Sequence, residues 1–367
     1  MRILHTVEFY EPLKGGAEEV VRQISERLAA RGHQLTVATS FHPNRSFSER
    51  NGVAVQSFQV RGNLVKGITG DSARYQEFLL DSDFDVIMNY AAQTWTTDLT
   101  FPLIPRLRGK KVIAPLGYSR LGHRRYRKYF SDLPSRLGGY DRLVYTSAHY
   151  QDKYFGDQNG LADKAVVIPN GAAAEDFSQA QRSFREKYGI HTKYLFLSVS
   201  NHYFAKGHRM VIEAFRRAAI PDATLVIIGE RPHSHSWYSC YPLCRISAVL
   251  NGSIRVLTDV GRPWVISAFQ GADCFLFASR VECAPLVMYE CFASRTPLIT
   301  TSVGNVGDHR DFLDIVESGE EMSSRIRAYV ADPEPFAARA QAARSVFERE
   351  LSWSQIAHRF ELLYESL

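Results

Sequence analysis

Residues 273–302 read DCFLFASRVECAPLVMYECFASRTPLITTS, and the alternation within this stretch decides the fold class. Cys274 to Phe277 is a short apolar run bounded by polar residues, the pattern of a strand buried on both faces. A loop follows from Ala278 to Ala284. Pro285 stands at the first helical position, where its lack of an N–H removes no helical hydrogen bond. The spacing predicts a helix from there to about Ala293, and Thr296-Pro297 opens a second strand, Leu298 to Thr301. Strand, loop, helix, strand is the unit of a parallel sheet, whose ligands sit at the carboxyl ends of the strands. The expected class is α/β.

Two acids stand out. Glu282 lies in the loop at the strand's carboxyl end, and Glu290 lies inside the helix. Leu286, Glu290 and Ala293 follow i, i+4, i+7 spacing, which puts Glu290 on the stripe facing the sheet. A carboxylate there is costly without a partner. The N–H groups of Leu286 and Val287 at the helix start favour an anion. A phosphate at the helix tip, with a hydroxyl-rich group on one acid and a ribose on the other, satisfies all three features. The plainer alternative is a surface loop acid and a helix acid at the rim of the apolar stripe.

E-x7-E after a buried strand, followed by T-P-L-I-T-T, resembles the donor-site signature of the retaining GT-B glycosyltransferases of family 4. In that family the first Glu contacts the donor sugar's hydroxyls and the second holds the ribose diol. The resemblance gives these roles to Glu282 and Glu290, and groups Ala284, Pro285, Leu286 and Val287 around the donor. It implies a GT-B fold, two Rossmann-like doubly wound domains facing an interdomain cleft. The expected division is an acceptor-side domain over 1–171, a nucleotide-sugar domain over 172–350, and a helix over 351–367 crossing back to the first.

The 367 residues suffice for two ordinary domains, and 45% hydrophobic with 23% charged residues is a globular composition. No apolar run approaches the ~20 residues of a membrane span. Glu8 and Glu11 follow the first strand too soon for a signal-peptide core, and five cysteines form no disulfide framework. The expected location is cytoplasmic, with peripheral contact at the inner membrane face left open. A net charge of +5 admits an anionic partner without requiring nucleic acid, and none is expected.

In the first half, strands are expected at 2–7, 35–39, 53–60, 85–90, 112–116, 143–146 and 166–168, and a helix at 17–31. Lys14-Gly15-Gly16 between the first strand and that helix describes an anion-accepting turn. E-F-Y-x-P-x-x-G-G-A-E-E resembles the family's N-terminal signature, in which Gly15 and Gly16 face the donor phosphates. Asp81, Asp83 and Asp85 spell D-x-D twice, but they precede their strand and read as turn residues. Leu116 stands where the family has a sugar-contacting His; Tyr118 or His123 is the expected substitute. Arg120, Arg124, Arg127 and Lys128 share one face if helical, with Tyr126, Tyr129 and Phe130 interleaved. That face is read either as solvated surface or as an acceptor region for a lipid-pyrophosphate head group or anionic membrane.

Val167-Ile168-Pro169-Asn170-Gly171 resembles the family's domain boundary. Past the strand 194–200, Lys206-Gly207 fits the family's pyrophosphate-gripping K-G, while its Arg position holds Asn201. Lys206 is therefore expected to carry more of that charge. Gly229 ends the next strand. His233, His235, Cys240 and Cys244 invite a zinc reading, but H-x-H with C-x3-C matches no common finger. A polar loop and a helix burying two thiols is the expectation, with no metal. Thr258 and Val260 resemble the segment that reads the nucleotide base, with Thr258 where glycine is usual. Tyr203 or Phe204 is read either as a base-stacking ring or as core.

The resemblance implies a metal-independent, retaining hexosyltransferase with Glu282 and Lys206 as catalytic residues and no cofactor. Its co-substrate is a nucleotide sugar, UDP-glucose or another UDP-hexose first and GDP-mannose next. The acceptor is a glycan or a lipid-linked oligosaccharide, with Tyr118, His123, Arg120 and Arg124 as its expected contacts. Alternatives are a sugar-nucleotide epimerase or phosphorylase on the same fold, and an inactive GT-B scaffold.

Overall fold

A computed structural model describes residues 1–367 except 14, 119, 179–182 and 231–238. The chain forms two compact units: Met1–Asn170 with Trp353–Leu367, and Gly171–Ser352.

The first unit is built on β1 (Arg2–Thr6), β2 (Gln34–Ser40), β3 (Glu49–Arg50) and β4 (Val53–Phe58), followed by a separate hairpin of β5 (Val60–Asn63) and β6 (Gly67–Gly70). β7 (Val86–Tyr90), β8 (Lys110–Ala114), β9 (Arg142–Tyr145) and β10 (Ala165–Val167) complete it. The main sheet has the order β10-β9-β8-β7-β1-β2-β4-β3, parallel except for the β3 edge. Ile3, Leu4, Ile87, Met88, Val112 and Ile113 are closed off from solvent, as expected where helices cover both faces. The stretch expected as one strand over 53–60 breaks at Gln59. Gly62, Gly67 and Gly70, all at positive φ, let the chain fold back as the hairpin. A Cβ on Gly70 would lie 1.8 Å from the Gln59 carbonyl oxygen, so only glycine allows the two segments this close. Asp83 pairs with the Arg2 side chain and Asp85 accepts from the Arg2 amide, so the D-x-D acids close the amino edge of the sheet.

The basic stripe does not form. Arg120 lies in a turn at φ +71, Arg124–Tyr126 is a single 3-10 turn, and the helix spans only Arg127–Leu137. Tyr126, Tyr129 and Phe130 are drawn into the core instead, which sets the helix's rotation and scatters the cations. The helix Trp353–Glu365 docks on Gly16–Ala30. Tyr364 meets buried His5 at 3.1 Å, and Glu361 meets Arg31 at 2.7 Å and His33 at 3.0 Å. Burial holds His5 neutral, down to about 3.

The second unit is a six-stranded, all-parallel sheet of β11 (Tyr194–Val199), β12 (Ala223–Ile228), β13 (Ile254–Leu257), β14 (Cys274–Phe277), β15 (Leu298–Thr301) and β16 (Asp314–Val316). The order β13-β12-β11-β14-β15-β16 reverses between β11 and β14, the topological switch point of a doubly wound fold. Cores lie on both faces, one around Phe269, Phe275 and Met288, the other around Phe196, Val211 and Leu276. The helix after β14 spans Leu286–Ser294, and Pro285 caps it from extended backbone rather than occupying its first turn. Met288, Tyr289, Cys291, Phe292 and Ala293 are all buried, so this helix is enclosed on nearly every side rather than along one stripe.

Candidate functional site

At the switch point of the second unit, the loop after β11 and the loop after β14 lock together through their backbones. The Arg280 amide donates to the Ala205 carbonyl at 2.8 Å, and Ser279 Oγ donates to the same oxygen at 3.3 Å. Thr301 Oγ1, at the end of β15, donates to the Ser279 carbonyl at 2.7 Å. This brings Lys206 to Glu282, with Nζ and Oε1 2.7 Å apart across 76 positions of sequence. Both side chains are partly covered, at 28% and 14% exposure, so the pair is wet on one side and open to a ligand.

Two glycines make the approach. Gly207 at φ +72 lies against the Ala278 carbonyl, and Gly304 at φ +57 lies against that of Cys283. Gly229, at the end of β12, packs on the Ser200 carbonyl, so a third strand end joins the same edge. Asn201 occupies the start of the Lys206 loop. Beside Glu282, Ala284 leads to Pro285, and Leu286 and Val287 form the first turn of the buried helix, whose early N–H groups have no acceptor within the helix.

Glu290 is 8% exposed, and its carboxylate pairs with the Arg262 guanidinium. Arg262 also holds Asp176 at 3.1 Å. Arg262 opens the helix Arg262–Gly271, just after Val260, so the chain near the expected base-reading segment also supplies the cation for the second acid. The sequence reading did not name Arg262; the expense of a lone carboxylate on a buried face was the signal that some cation had to be there. Thr258 follows the strand, and the left-handed turn that glycine would supply is made by Asp259 at φ +57. Tyr203 and Phe204 are 41% and 47% exposed, which removes them from the core.

In the first unit, a cavity of 260 Å³ lies at the carboxyl ends of β7 and β8. Leu116, Gly117 and Arg120 line it together with Lys66, Asn63, Gln93 and Thr94. Leu116 adopts φ +57, so the position where a His was expected presents strained backbone and an apolar side chain. Tyr118 is fully buried against Phe130 and Phe155 and offers nothing to a substrate. His123 accepts from the Arg125 amide at 3.2 Å, capping the following turn, and neither it nor Arg124 lines the cavity. Of the expected acceptor contacts, only Arg120 does.

Gly15 caps the helix Gly16–Ala30, and a Cβ on it would meet the Glu18 carboxylate at 2.2 Å. The helix's own acid therefore already occupies the anion-accepting turn. Open space surrounds the Cβ position of Gly16.

Glu8, in the loop after β1, is pushed up to about 7 by burial, with Lys66 opposing and Glu18 and Asp98 adding to the rise. Its position at a strand's carboxyl end was the signal that could have singled it out. A carboxyl raised above its unfolded value binds its proton more tightly when folded. Its ionisation therefore costs stability as pH rises from about 4.5 through about 7. Glu8→Gln is expected to raise Tm by a few degrees at pH 8 and to leave it unchanged at pH 4. Equal shifts at both pH values would contradict this reading of Glu8.

Two family models match successive parts of the chain. "Glycosyltransferase Family 4" matches residues 14–176, and "Glycosyl transferases group 1" matches 180–346. The chain belongs to the GT-B glycosyltransferases. Among curated proteins, this glycosyltransferase is 29% identical over 203 residues to putative glycosyltransferase YtcC of Bacillus subtilis, covering 52% of the chain and 49% of that protein. It is 27% identical over 253 residues to O-antigen chain mannosyltransferase C of Escherichia coli, covering 63% of the chain and 62% of that protein. The matched stretches thus span less than two thirds of either relative. Among solved structures, Anabaena Alr3699/HepE in complex with UDP superposes with a TM-score of 0.80 at 16% identity, covering 100% of both chains. That likeness shows the fold.

Proposed function

We propose that this glycosyltransferase moves a hexose from a nucleotide sugar, UDP-glucose or another UDP-hexose, to a hydroxyl of a glycan or lipid-linked acceptor, with retention of configuration. The observation that carries the reading is the Lys206–Glu282 pair, 2.7 Å apart at the switch point of the second unit. Lys206 offers a point charge to the donor diphosphate, and Glu282 offers a carboxylate to the sugar hydroxyls. The first turn at Leu286 and Val287 adds the positive end of a helix dipole. Glu290, paired with Arg262, offers its carboxylate to a ribose diol. In this account Lys206 and the helix end offset the charge of the diphosphate without a divalent ion, and a leaving-phosphate oxygen takes the acceptor proton on the same face. Catalysis then rests on positioning and electrostatics.

UDP is the favoured nucleotide because the structurally similar Anabaena protein is seen with UDP and with UDP-glucose. GDP-mannose is the second reading, favoured by the relative named as a mannosyltransferase. For the acceptor, the cavity with Lys66 and Arg120 suits hydroxyls beside an anionic group. Membrane attachment through an arginine stripe is not part of the proposal, since that stripe is not formed. Five free thiols suit a reducing, cytoplasmic setting.

Thermal unfolding with UDP, GDP, ADP and their sugar conjugates tests the donor reading. A nucleotide at a hundredfold over its Kd adds about 2.7 kcal/mol, and the conjugate that shifts the midpoint most names the donor. No shift with any of them would favour the inactive scaffold. Glu290→Gln is expected to weaken nucleotide-sugar binding about tenfold, through loss of one charge-assisted hydrogen bond of roughly 1.5 kcal/mol. Unchanged affinity by calorimetry would remove Glu290 from the site.

A further inference from the structure

Four ligand-type side chains converge beside the Lys206 loop. His202, His208, Cys240 and Cys244 are all buried, and their candidate ligand atoms lie within 4.8 Å of one another. Cys240 Sγ is 3.3 Å from His208 Nδ1 and 4.0 Å from His202 Nδ1, and the two imidazoles sit with centroids 5.0 Å apart. A tetrahedral ion with metal–sulfur bonds near 2.3 Å and metal–nitrogen bonds near 2.0 Å separates its ligand atoms by roughly 3.3–3.8 Å. The cluster stands within about an ångström of that shape without any backbone rearrangement.

The rings are oriented for such an ion. His202 is fully buried and its Nδ1 lies on the thiol side, 4.0 Å from Cys240 Sγ. His208 has the complementary arrangement: its Nε2 meets Ser200 Oγ at 2.7 Å, which orients the ring and leaves Nδ1 toward the thiols. That is the outer-shell hydrogen bond of a metal-bound histidine.

We propose that His202, His208, Cys240 and Cys244 form a structural zinc site that staples the Lys206 loop to the helix Tyr241–Leu250. Two thiolates and two imidazoles suit Zn²⁺ and do not suit Ca²⁺ or Mg²⁺, which take oxygen ligands. Two thiolates neutralise the ion, so a buried site carries no net charge. Four protein ligands close the shell and leave no position for substrate, which assigns the ion to architecture rather than to the reaction. Cys240 caps its helix and Cys244 follows one turn later, so both thiols leave the same helix face near its start. The Cys240 amide donates to the His202 carbonyl at 3.1 Å, fixing the two segments side by side. His202 and His208 bracket residues 203–207, so the ion would hold both ends of the segment carrying Lys206. The unabsorbed cysteine pair of the sequence thus finds its histidines in a distant loop rather than at His233 and His235, which lie outside the described residues.

The test measures metal in the full chain, expressed with zinc available and purified without chelator. About one zinc per chain is expected by emission spectrometry, lost in Cys244→Ser and in His208→Ala but kept in Cys291→Ala. Should the first two variants fail to fold, the unaltered chain decides. Stripped under reducing conditions and given Co²⁺, it should develop the intense visible absorption of a tetrahedral cobalt–thiolate centre, and Zn²⁺ should abolish that absorption. Beyond Cys274 and Cys291, which burial alone protects, two thiols should resist a thiol reagent until a chelator is added. A chain that holds no stoichiometric metal and gives no cobalt spectrum overturns the proposal, as does full zinc retention in a Cys240→Ser/Cys244→Ser double variant. None of these readouts depends on which nucleotide sugar the protein uses.

Discussion

Lys206→Ala is expected to lower kcat by roughly 10²- to 10³-fold, the loss of about 3–4 kcal/mol that follows removal of one preorganised group at developing charge. The leaving diphosphate gains charge as the glycosidic bond lengthens. An ammonium already fixed 2.7 Å from Glu282 meets that charge without having to reorganise. Because the interaction strengthens toward the transition state, kcat and kcat/KM should fall together. A rise in KM alone would mean that Lys206 only helps hold the donor. The fold should survive, because a half-wet ion pair contributes little to stability. Lys206→Arg should recover part of the loss by restoring charge with a different reach, and Lys206→Met none of it. Steady-state rates with a saturating donor, set beside circular dichroism of each variant, separate these outcomes. Activity of Lys206→Ala within threefold of the parent would remove Lys206 from catalysis.

β14 and β15 of the second unit were legible because each is a compact apolar run bracketed by turn residues, whereas the three-residue β16 went unread. Cys274–Phe277 and Leu298–Thr301 need no tertiary information to be seen. Glu282 and Lys206 were legible as separate loop residues at strand ends; their contact is a product of sheet order, with β11 and β14 adjacent although 75 residues lie between the two loops' key side chains. Arg262 escaped notice because nothing near it in sequence marks it as the partner of Glu290. The arginine run 120–128 misled for the opposite reason. Helical spacing of charges was visible, but the demand of Tyr126, Tyr129 and Phe130 for burial was stronger, and burial sets helix rotation. Tyr118 went inward for the same cause. The cysteine pair shows the limit most plainly: a local window offers His233 and His235, whereas packing of the β11 loop against the next helix delivers His202 and His208.

Gly207→Ala is expected to destabilise the second unit by roughly 2–4 kcal/mol, from left-handed strain of about 1–3 kcal/mol and overpacking of similar size. For a unit of this length that is a fall in Tm of roughly 5–12 °C. The Cβ would sit 1.8 Å from the Ala278 carbonyl oxygen and 2.5 Å from its carbon, both backbone atoms at the end of β14. No side-chain rotation relieves such a contact; the β11 loop or the β14 loop has to move. Either movement pulls Lys206 away from Glu282, so activity should fall nearly as far as in Lys206→Ala although the lysine is still present. Gly207→Asn divides the two causes. Asparagine tolerates positive φ, as Asp259 does at φ +57, so a purely conformational penalty would largely disappear with it. The carbonyl collision would not, and Gly207→Asn should be as damaging as Gly207→Ala. If asparagine restores both Tm and rate, close approach of the two loops is not what fixes Lys206, and the geometry of the site has to be sought in the turn alone.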